Sequence, residues 1–267
     1  MRLQKHSRRI NCWADSIHIP YRSHYSTLRA YMTSFTDFHN IRLLTFDLDN
    51  TLWDVWPVID RANLAFRTWL EATHPELHPL YHDDAVQLAR TAILEEDPSL
   101  GRQPSRFRRK LMQQVLAPAS LSPKMLDEVT EAGFEVFFAE RNRIDLFPFA
   151  REVLESLSRQ YEIIAISNGN ADLERVGLKQ YFKGHLIAEQ TMRPKPEPYM
   201  FEEALRMAGV EAHEGLHIGD HAEEDVDAAL AVGMKAIWFN PEGAPREDDV
   251  PVVRDLSTLH QLLDRSS

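Results

Sequence analysis

Cysteine is almost missing from this chain: Cys12 is the only one among 267 residues. No intrachain disulfide can form, and a reducing, cytoplasmic setting is the simplest expectation. No apolar run approaches the roughly 20 residues that a membrane-spanning helix requires, so no membrane role is expected. An excess of positive charge is missing too. The formal net charge is −11, which argues against nucleic acid or an anionic membrane as the main partner. The chain also lacks internal repeats and low-complexity segments. What is left is an ordinary globular composition, long enough for one or two domains.

The basic residues are unevenly placed. Arg2, Lys5, Arg8, Arg9, Arg22 and Arg29 stand against only Asp15 and Asp37, so residues 1–40 carry +4 while the rest carries −15. A signal peptide would need a continuous apolar stretch after that basic start, and Trp13, Ile17 and Ile19 are interspersed with polar residues. Residues 1–40 are expected to be a poorly ordered extension. A sharper expectation makes Met32 the true start, which the intact mass of the native protein would decide.

What is present begins at Ile41, in the stretch "IRLLTFDLDNTLWDVW". A buried-type run containing Leu43, Leu44 and Phe46 leads into Asp47 and Asp49. Side-chain direction in extended chain has period two, so the spacing predicts both carboxylates on one side. Such a pair can hold a hard cation through oxygen, or divide nucleophile and acid/base roles. Ligands in open α/β sheets bind just beyond the carboxyl ends of strands, which is where this pair falls.

Helical periodicity follows for about ninety residues. Pro57 suits the first turn of a helix carrying Val58, Ala62, Ala65, Phe66, Trp69 and Leu70. Asp83 or Asp84 can cap a second helix, with Val86, Ala89 and Ile93 inward. Ser105 can cap a third, through Leu111, Met112 and Val115. Ser122 and Pro123 open a fourth, with Leu126, Val129, Phe134, Phe137 and Phe138. From Phe147 helices and strands alternate. The pattern predicts helices over 147–160, 172–181, 197–209, 222–233 and 255–264, and strands at "YEIIAIS", "HLIAE", "GLHIGD" and "KAIWF". Alternation of this kind implies a parallel sheet with right-handed crossovers. The segment "PEGAPREDD" is expected to be a surface loop.

Each strand of the second half ends in useful chemistry. Ser167 is followed by Asn168, Gly169 and Asn170, a hydroxyl with small residues that can turn backbone N–H groups toward an anion, or simply form a turn. Lys195 lies between Pro194 and Pro196, a rigidly presented point charge for phosphoryl oxygens, or a solvated loop lysine. Gly219 and Asp220 close a strand and Asp225 starts the next helix, where it can complete a cation site or satisfy the helix dipole.

In this order the motifs resemble the haloacid dehalogenase-like hydrolase superfamily, over about 41–56 and 147–240. The resemblance implies a Rossmann-like α/β core, a parallel sheet of residues 41–54 and 147–267, with an optional cap. Asp47 to Ser167 spans 120 residues and Ser167 to Lys195 only 28, so the expected all-helical cap is residues 55–146, inserted after the first strand. The resemblance also implies roles. Asp47 is the nucleophile, forming an aspartyl-phosphate, and Asp49 moves the proton. Mg2+ sits on Asp47, Asp220 and the Asp49 carbonyl, with Asp225 alongside orienting Lys195 or metal-bound water. Ser167, the Asn168 N–H, Gly169 and Lys195 surround the phosphoryl group. Asp49 favours ester hydrolysis, because a halide leaving group needs no proton.

Within the superfamily, the stretches "LTFDLDNTLWD", "RNRID", "ISNGNADLERVGLKQYF" and "HIGDHAEEDVDAALAVGMKAIWFNPEG" look similar to the bacterial phosphatases of flavin mononucleotide and of 5-amino-6-(5-phospho-ribitylamino)uracil, in riboflavin biosynthesis. The expected partner is a small phosphorylated metabolite, and the expected state a monomer or homodimer. Trp53 and Trp56 flank the acidic motif and can stack on a flat ring or pack in the core. Arg106, Arg108 and Arg109 can face an anionic substrate or form a solvated face. The triplets His74, His78, His82 and His213, His217, His221 share a spacing of four, but prolines interrupt one and a strand crosses the other, so zinc is not expected. Two rival readings stay open. One is a phosphatase for another metabolite, such as phosphoglycolate, a nucleotide or pyridoxal phosphate. The other is a binding module that kept the fold without turnover.

Overall fold

A computed structural model describes residues 38–243, 246 and 248–263. The basic stretch, Cys12 and Met32 lie outside the described residues, apart from positions 38–40. Strand β1 (Leu43–Phe46) is buried at every position, as a strand covered on both faces must be. It pairs in parallel with β2 (Glu162–Ser167) on one side and β4 (Gly215–Gly219) on the other. With β3 (Gly184–Ile187), β5 (Lys235–Phe239) and β6 (Val252–Val253), the order is β3-β2-β1-β4-β5-β6. The chain therefore reverses its direction of travel between β1 and β4, and an open parallel sheet leaves a crevice at such a switch point. Register sets what meets there: Phe46 lies opposite both Ala165 and Ile218, so Asp47, the end of β2 and the end of β4 reach the same edge.

Successive β1 residues face opposite layers, as the pleat requires. Leu44 and Phe46 join a cluster with Val153, Leu154 and Leu157 of α5 (Ala150–Leu157) and Leu256, Leu259 and Leu263 of α9 (Leu256–Leu263). Leu43 joins Ile164, Ile166 and the Met200, Phe201 and Ala204 face of α7 (Tyr199–Ala208).

Between β1 and α5 the chain makes a helical lobe of α1 (Val55–Thr73), α2 (Asp83–Glu96), α3 (Pro104–Leu116) and α4 (Pro123–Arg141). The lobe has its own apolar cluster, including Phe66, Leu70, Ile93, Met112 and Phe134. Asp54 caps α1, accepting from the Trp56 N–H at 3.0 Å, and Ser122 caps α4, with Pro123 in the first turn.

Several sequence expectations change. The cap of α2 is His82, whose ring accepts from the Ala85 N–H; Asp83 and Asp84 lie in the first turn, where the dipole favours them. Ser105 is inside α3 and does not cap it. Its N–H and hydroxyl both donate to Glu189, at 2.9 and 2.7 Å, which ties the lobe to α6 (Ala188–Thr191) beyond β3. No α-helix forms over 172–181: Asp172 accepts from the Glu174 and Arg175 N–H groups, Gly177 turns the chain at φ +71°, and only a 3-10 turn, Lys179–Tyr181, follows. The segment after β4 splits into a π-helical turn, Ala222–Asp227, and α8 (Ala228–Ala231). β6 was not expected at all, because two residues carry no readable period.

Candidate active site

β1 ends at Phe46, and the chain coils tightly just beyond it. Thr51 and Leu52 N–H groups both donate to Leu48 O, and the Asn50 N–H donates to Trp53 O at 2.7 Å. Asn50 adopts φ +61°, a left-handed conformation in which glycine is cheapest and asparagine comes next. Its side chain is used as well, accepting from the Val55 N–H.

Strand β1 stops at Phe46, and the two carboxylates beyond it take different partners. Asp47 points into an acidic cluster, while Asp49 turns away. The Asp49 Oδ1 accepts from the Trp53 indole N–H at 2.9 Å, and Arg141 Nη2 donates to Oδ1 at 2.8 Å and Oδ2 at 2.6 Å. The pair is therefore not a joint chelate, and Asp49 has only its main-chain carbonyl to offer a cation.

Lys195 is the centre of the buried network. It is 2% exposed, and its Nζ donates to Asp47 Oδ1 at 2.6 Å and Asp225 Oδ1 at 2.5 Å. Asn168 holds the lysine's backbone, accepting from its N–H at 2.8 Å and donating to its carbonyl at 2.9 Å. Asp225 spends both oxygens on protein donors: Oδ1 on Lys195 and His217 Nε2, Oδ2 on the His221 N–H at 2.9 Å. Burial pushes the His217 ring below its ordinary value, so the ring is neutral with one proton. That proton sits on Nε2, facing a carboxylate that can only accept, and Nδ1 accepts from the Thr45 hydroxyl at 2.8 Å. A chain Thr45–His217–Asp225–Lys195–Asp47 thus runs from the sheet interior to its edge. Burial also opposes the Lys195 charge, but Asp225 and Asp47 outweigh it and hold the ammonium above the ordinary lysine range.

Among the described residues, one group of acidic and histidine side chains has ligand geometry: Asp47, Asp220 and Asp225, with donor atoms within 4.8 Å of one another. Burial, then the Asp225 charge, pushes Asp220 up to about 6. Burial likewise raises Asp47, with Asp225 and Asp220 adding to it against the pull of Lys195. A hard cation would relieve both groups, and an all-oxygen set suits magnesium. Asp225 already accepts three protein hydrogen bonds, more than Asp47 or Asp220, and the Thr51 hydroxyl lies 3.3 Å from each of those two.

The raised group makes a stability prediction with a definite sign. Asp220 favours the fold below its unfolded value near 4, and that contribution is lost as pH rises through about 6. Asp220→Asn is expected to raise the cation-free Tm at pH 7.5 by about 2–4 °C, with little change at pH 4.5, and to abolish the further rise on adding magnesium. Thermal melts at both pH values check it; a lower Tm at pH 7.5 sinks the idea.

Ser167 is buried at the end of β2, and its Oγ accepts from the Gly169 N–H at 2.9 Å. A Cβ on Gly169 would lie 2.3 Å from Asp49 Oδ2 and 3.4 Å from Arg141 Nη2, so only glycine fits this approach. The other expected substrate residues fare differently. Trp53 is fully buried and serves Asp49, so it offers no stacking face. Trp56 stands 70% exposed on α1. Arg106 donates to Gln103, Arg108 to Asn63, and Arg109 to both oxygens of Glu131. Arg108 and Arg109 also lie over the Phe137 and Phe134 rings. These partners belong to the lobe, where α4's aromatic row attracts the guanidinium groups. Arg141 was not singled out from the sequence. It stands in the noted stretch "RNRID", and nothing in the spacing tied it to Asp49, 92 residues away.

A buried ammonium shared between two carboxylates lies at the carboxyl edge of a doubly wound sheet, where α/β proteins place their ligand sites. A profile described as haloacid dehalogenase-like hydrolase matches residues 41–233, and the chain belongs to that family. It is 35% identical to the 5-amino-6-(5-phospho-D-ribitylamino)uracil phosphatase YigB of Escherichia coli over 76% of this chain and 84% of that enzyme. It is 29% identical to a ribulose-1,5-bisphosphate 5-phosphatase of Halopiger xanaduensis over 83% and 92%. Among solved structures, a 2-haloacid dehalogenase from Pseudomonas syringae superposes with a TM-score of 0.78 at 38% identity, covering 85% of this chain and all of that one.

Proposed function

We propose that this enzyme hydrolyses phosphate monoesters through an aspartyl-phosphate on Asp47, with magnesium held by Asp47, Asp220 and the Asp49 carbonyl. The observation that carries it is the division of labour between the carboxylates. Asp47 lies 2.6 Å from Lys195 in the acidic cluster, while Asp49 is held apart by Arg141 and Trp53. A halide leaving group would leave Asp49 without work; an alkoxide needs its proton. Asp47 attacks phosphorus, the ester P–O bond breaks, and Asp49 protonates the leaving oxygen. Asp49 then takes a proton from the water that opens the acyl phosphate. Lys195 and Ser167 face the charge that builds on the phosphoryl oxygens. Magnesium, when bound, would neutralise part of that charge. Asp225 and His217 hold Lys195 in place.

For the substrate, we favour flavin mononucleotide or the ribitylaminouracil phosphate, on the relationship to YigB. A cleft of about 500 Å³ between Pro98, Ser99, Arg102 and Gln103 of the lobe and Met192, Pro194 and Glu197 near Lys195 offers polar and apolar contacts for such a leaving group. A metabolite panel read as magnesium-dependent phosphate release, with kcat/KM for each compound, tests this. Preference for phosphoserine, phosphoglycolate or a sugar phosphate overturns the flavin-type substrate and keeps the phosphatase. Trp56→Ala is expected to raise KM for flavin mononucleotide by about tenfold, the scale of one aromatic contact, and to spare 4-nitrophenyl phosphate. Equal effects on both would remove Trp56 from the binding site.

A further inference from the structure

Arg141 closes the last turn of α4 at 1% exposure. One of its nitrogens, Nη2, bonds both oxygens of Asp49. The other, Nη1, is buried and has no partner among the described residues. A purely structural arginine–carboxylate pair normally uses two nitrogens, one for each oxygen. Here both bonds fall on a single nitrogen, and leaving a buried donor unpaired costs about 1–3 kcal/mol. The spare donor is part of a rigid fork, about 2.3 Å from Nη2. The surroundings of Nη2 belong to the active site: a Cβ on Gly169 would lie 3.4 Å from Nη2, 3.2 Å from Ser167 Oγ and 2.3 Å from Asp49 Oδ2. So the guanidinium, the hydroxyl and the proton-carrying carboxylate converge on one point at the sheet edge.

The carboxylate involved is not the one in the acidic cluster. Asp49 is fixed by three donor contacts, two from Arg141 and one from Trp53. Trp53 lies in the turn after β1, whereas Arg141 is supplied by the helical lobe. The lobe therefore reaches Asp49 through a buried cation.

We propose that Arg141 is a positioning residue by which the lobe completes the active site: Nη2 aims the Asp49 carboxyl at the leaving-group oxygen. This rests on the phosphatase reading above. In the first step Asp47 forms a bond to phosphorus, the ester P–O bond breaks with its electron pair on the leaving oxygen, and that oxygen takes the Asp49 proton. In the second, water forms the new P–O bond, its proton passes to Asp49, and the acyl–phosphate bond breaks with its electrons returning to Asp47. Arg141 aims Asp49 in both.

The test uses leaving groups of different basicity, because aiming an acid matters only when the leaving oxygen needs a proton. kcat/KM is measured for an alkyl phosphate and for 4-nitrophenyl phosphate with wild-type, Arg141→Met and Arg141→Lys proteins. The Met variant is expected to lose about 100-fold on the alkyl ester, within the range for general acid catalysis. On the nitrophenyl ester it is expected to lose less than about tenfold, because that leaving oxygen needs little help from an acid. The Lys variant, which keeps the charge and loses the fork, is expected to show the same ordering with smaller losses, and it decides the matter if the Met variant does not fold. Equal losses on both esters, or no loss on either, overturn the role of Arg141. A wild-type protein inactive on both esters strikes the phosphatase reading itself.

Discussion

Asp47→Asn is expected to lower phosphate release by about 10⁴-fold or more, as removal of a covalent nucleophile does in other enzymes, while the protein stays folded. The side chain is nearly isosteric, and its amide oxygen can still accept from Lys195 Nζ, now at 2.6 Å from Asp47. The buried cluster also loses one of three carboxylates, so the variant has no electrostatic reason to unfold. Mass spectrometry of acid-quenched reactions provides the second reading: a phosphoryl adduct on the wild-type chain and none on the variant. Retention of more than about 1% of turnover by a folded Asn variant would mean that another group attacks phosphorus.

Lys195→Met is expected to damage stability and activity together. The ammonium is the shared partner of Asp47 and Asp225, and all three groups are buried. Removing one member of a buried ion network leaves uncompensated charge and costs about 3–5 kcal/mol, which corresponds to a fall in Tm on the order of 10 °C. The deficit should depend on pH with a fixed sign. Burial raises Asp225, but Lys195 and His217 together hold it below the ordinary carboxylate range. That contribution is present above the unfolded value near 4 and is lost as pH falls through the lowered native value. In the variant it is largely gone at every pH. The gap between wild type and variant should therefore be widest near pH 7 and narrow towards pH 3. Urea unfolding at a series of pH values measures it, and a gap independent of pH would point to packing of the lysine stem instead.

Much of this arrangement was legible in residue order. β1, β2, β4 and β5 are apolar runs bounded by turns, and Leu43 and Ile164 take opposite faces from Leu44 and Ile163 as the pleat dictates. Ser122–Pro123 marked the start of α4, and Gly209, at φ +64°, the end of α7. Less legible were features that depend on a partner distant in sequence. Ser105 has the chemistry of a helix cap, yet Glu189 takes both its donors. Asp172 to Tyr181 has helical residues, yet an Asx-type turn and Gly177 break it. Trp53 has the ring for stacking, yet it is buried and used through its N–H.

Legible in the sequence by itself were the parallel sheet, a helical stretch after β1, and Asp47, Ser167 and Asp220 at the ends of β1, β2 and β4. Those follow from periodicity and from the rule that parallel strands deliver their carboxyl ends to the same side. Only the tertiary structure decided that Asp47 and Asp49 part company. Arg141 and Trp53 claim the second carboxylate, which stays outside the acidic cluster of Asp47, Asp220 and Asp225. Spacing along a chain states what extended backbone would do. A buried guanidinium 92 residues away decides what the side chain does.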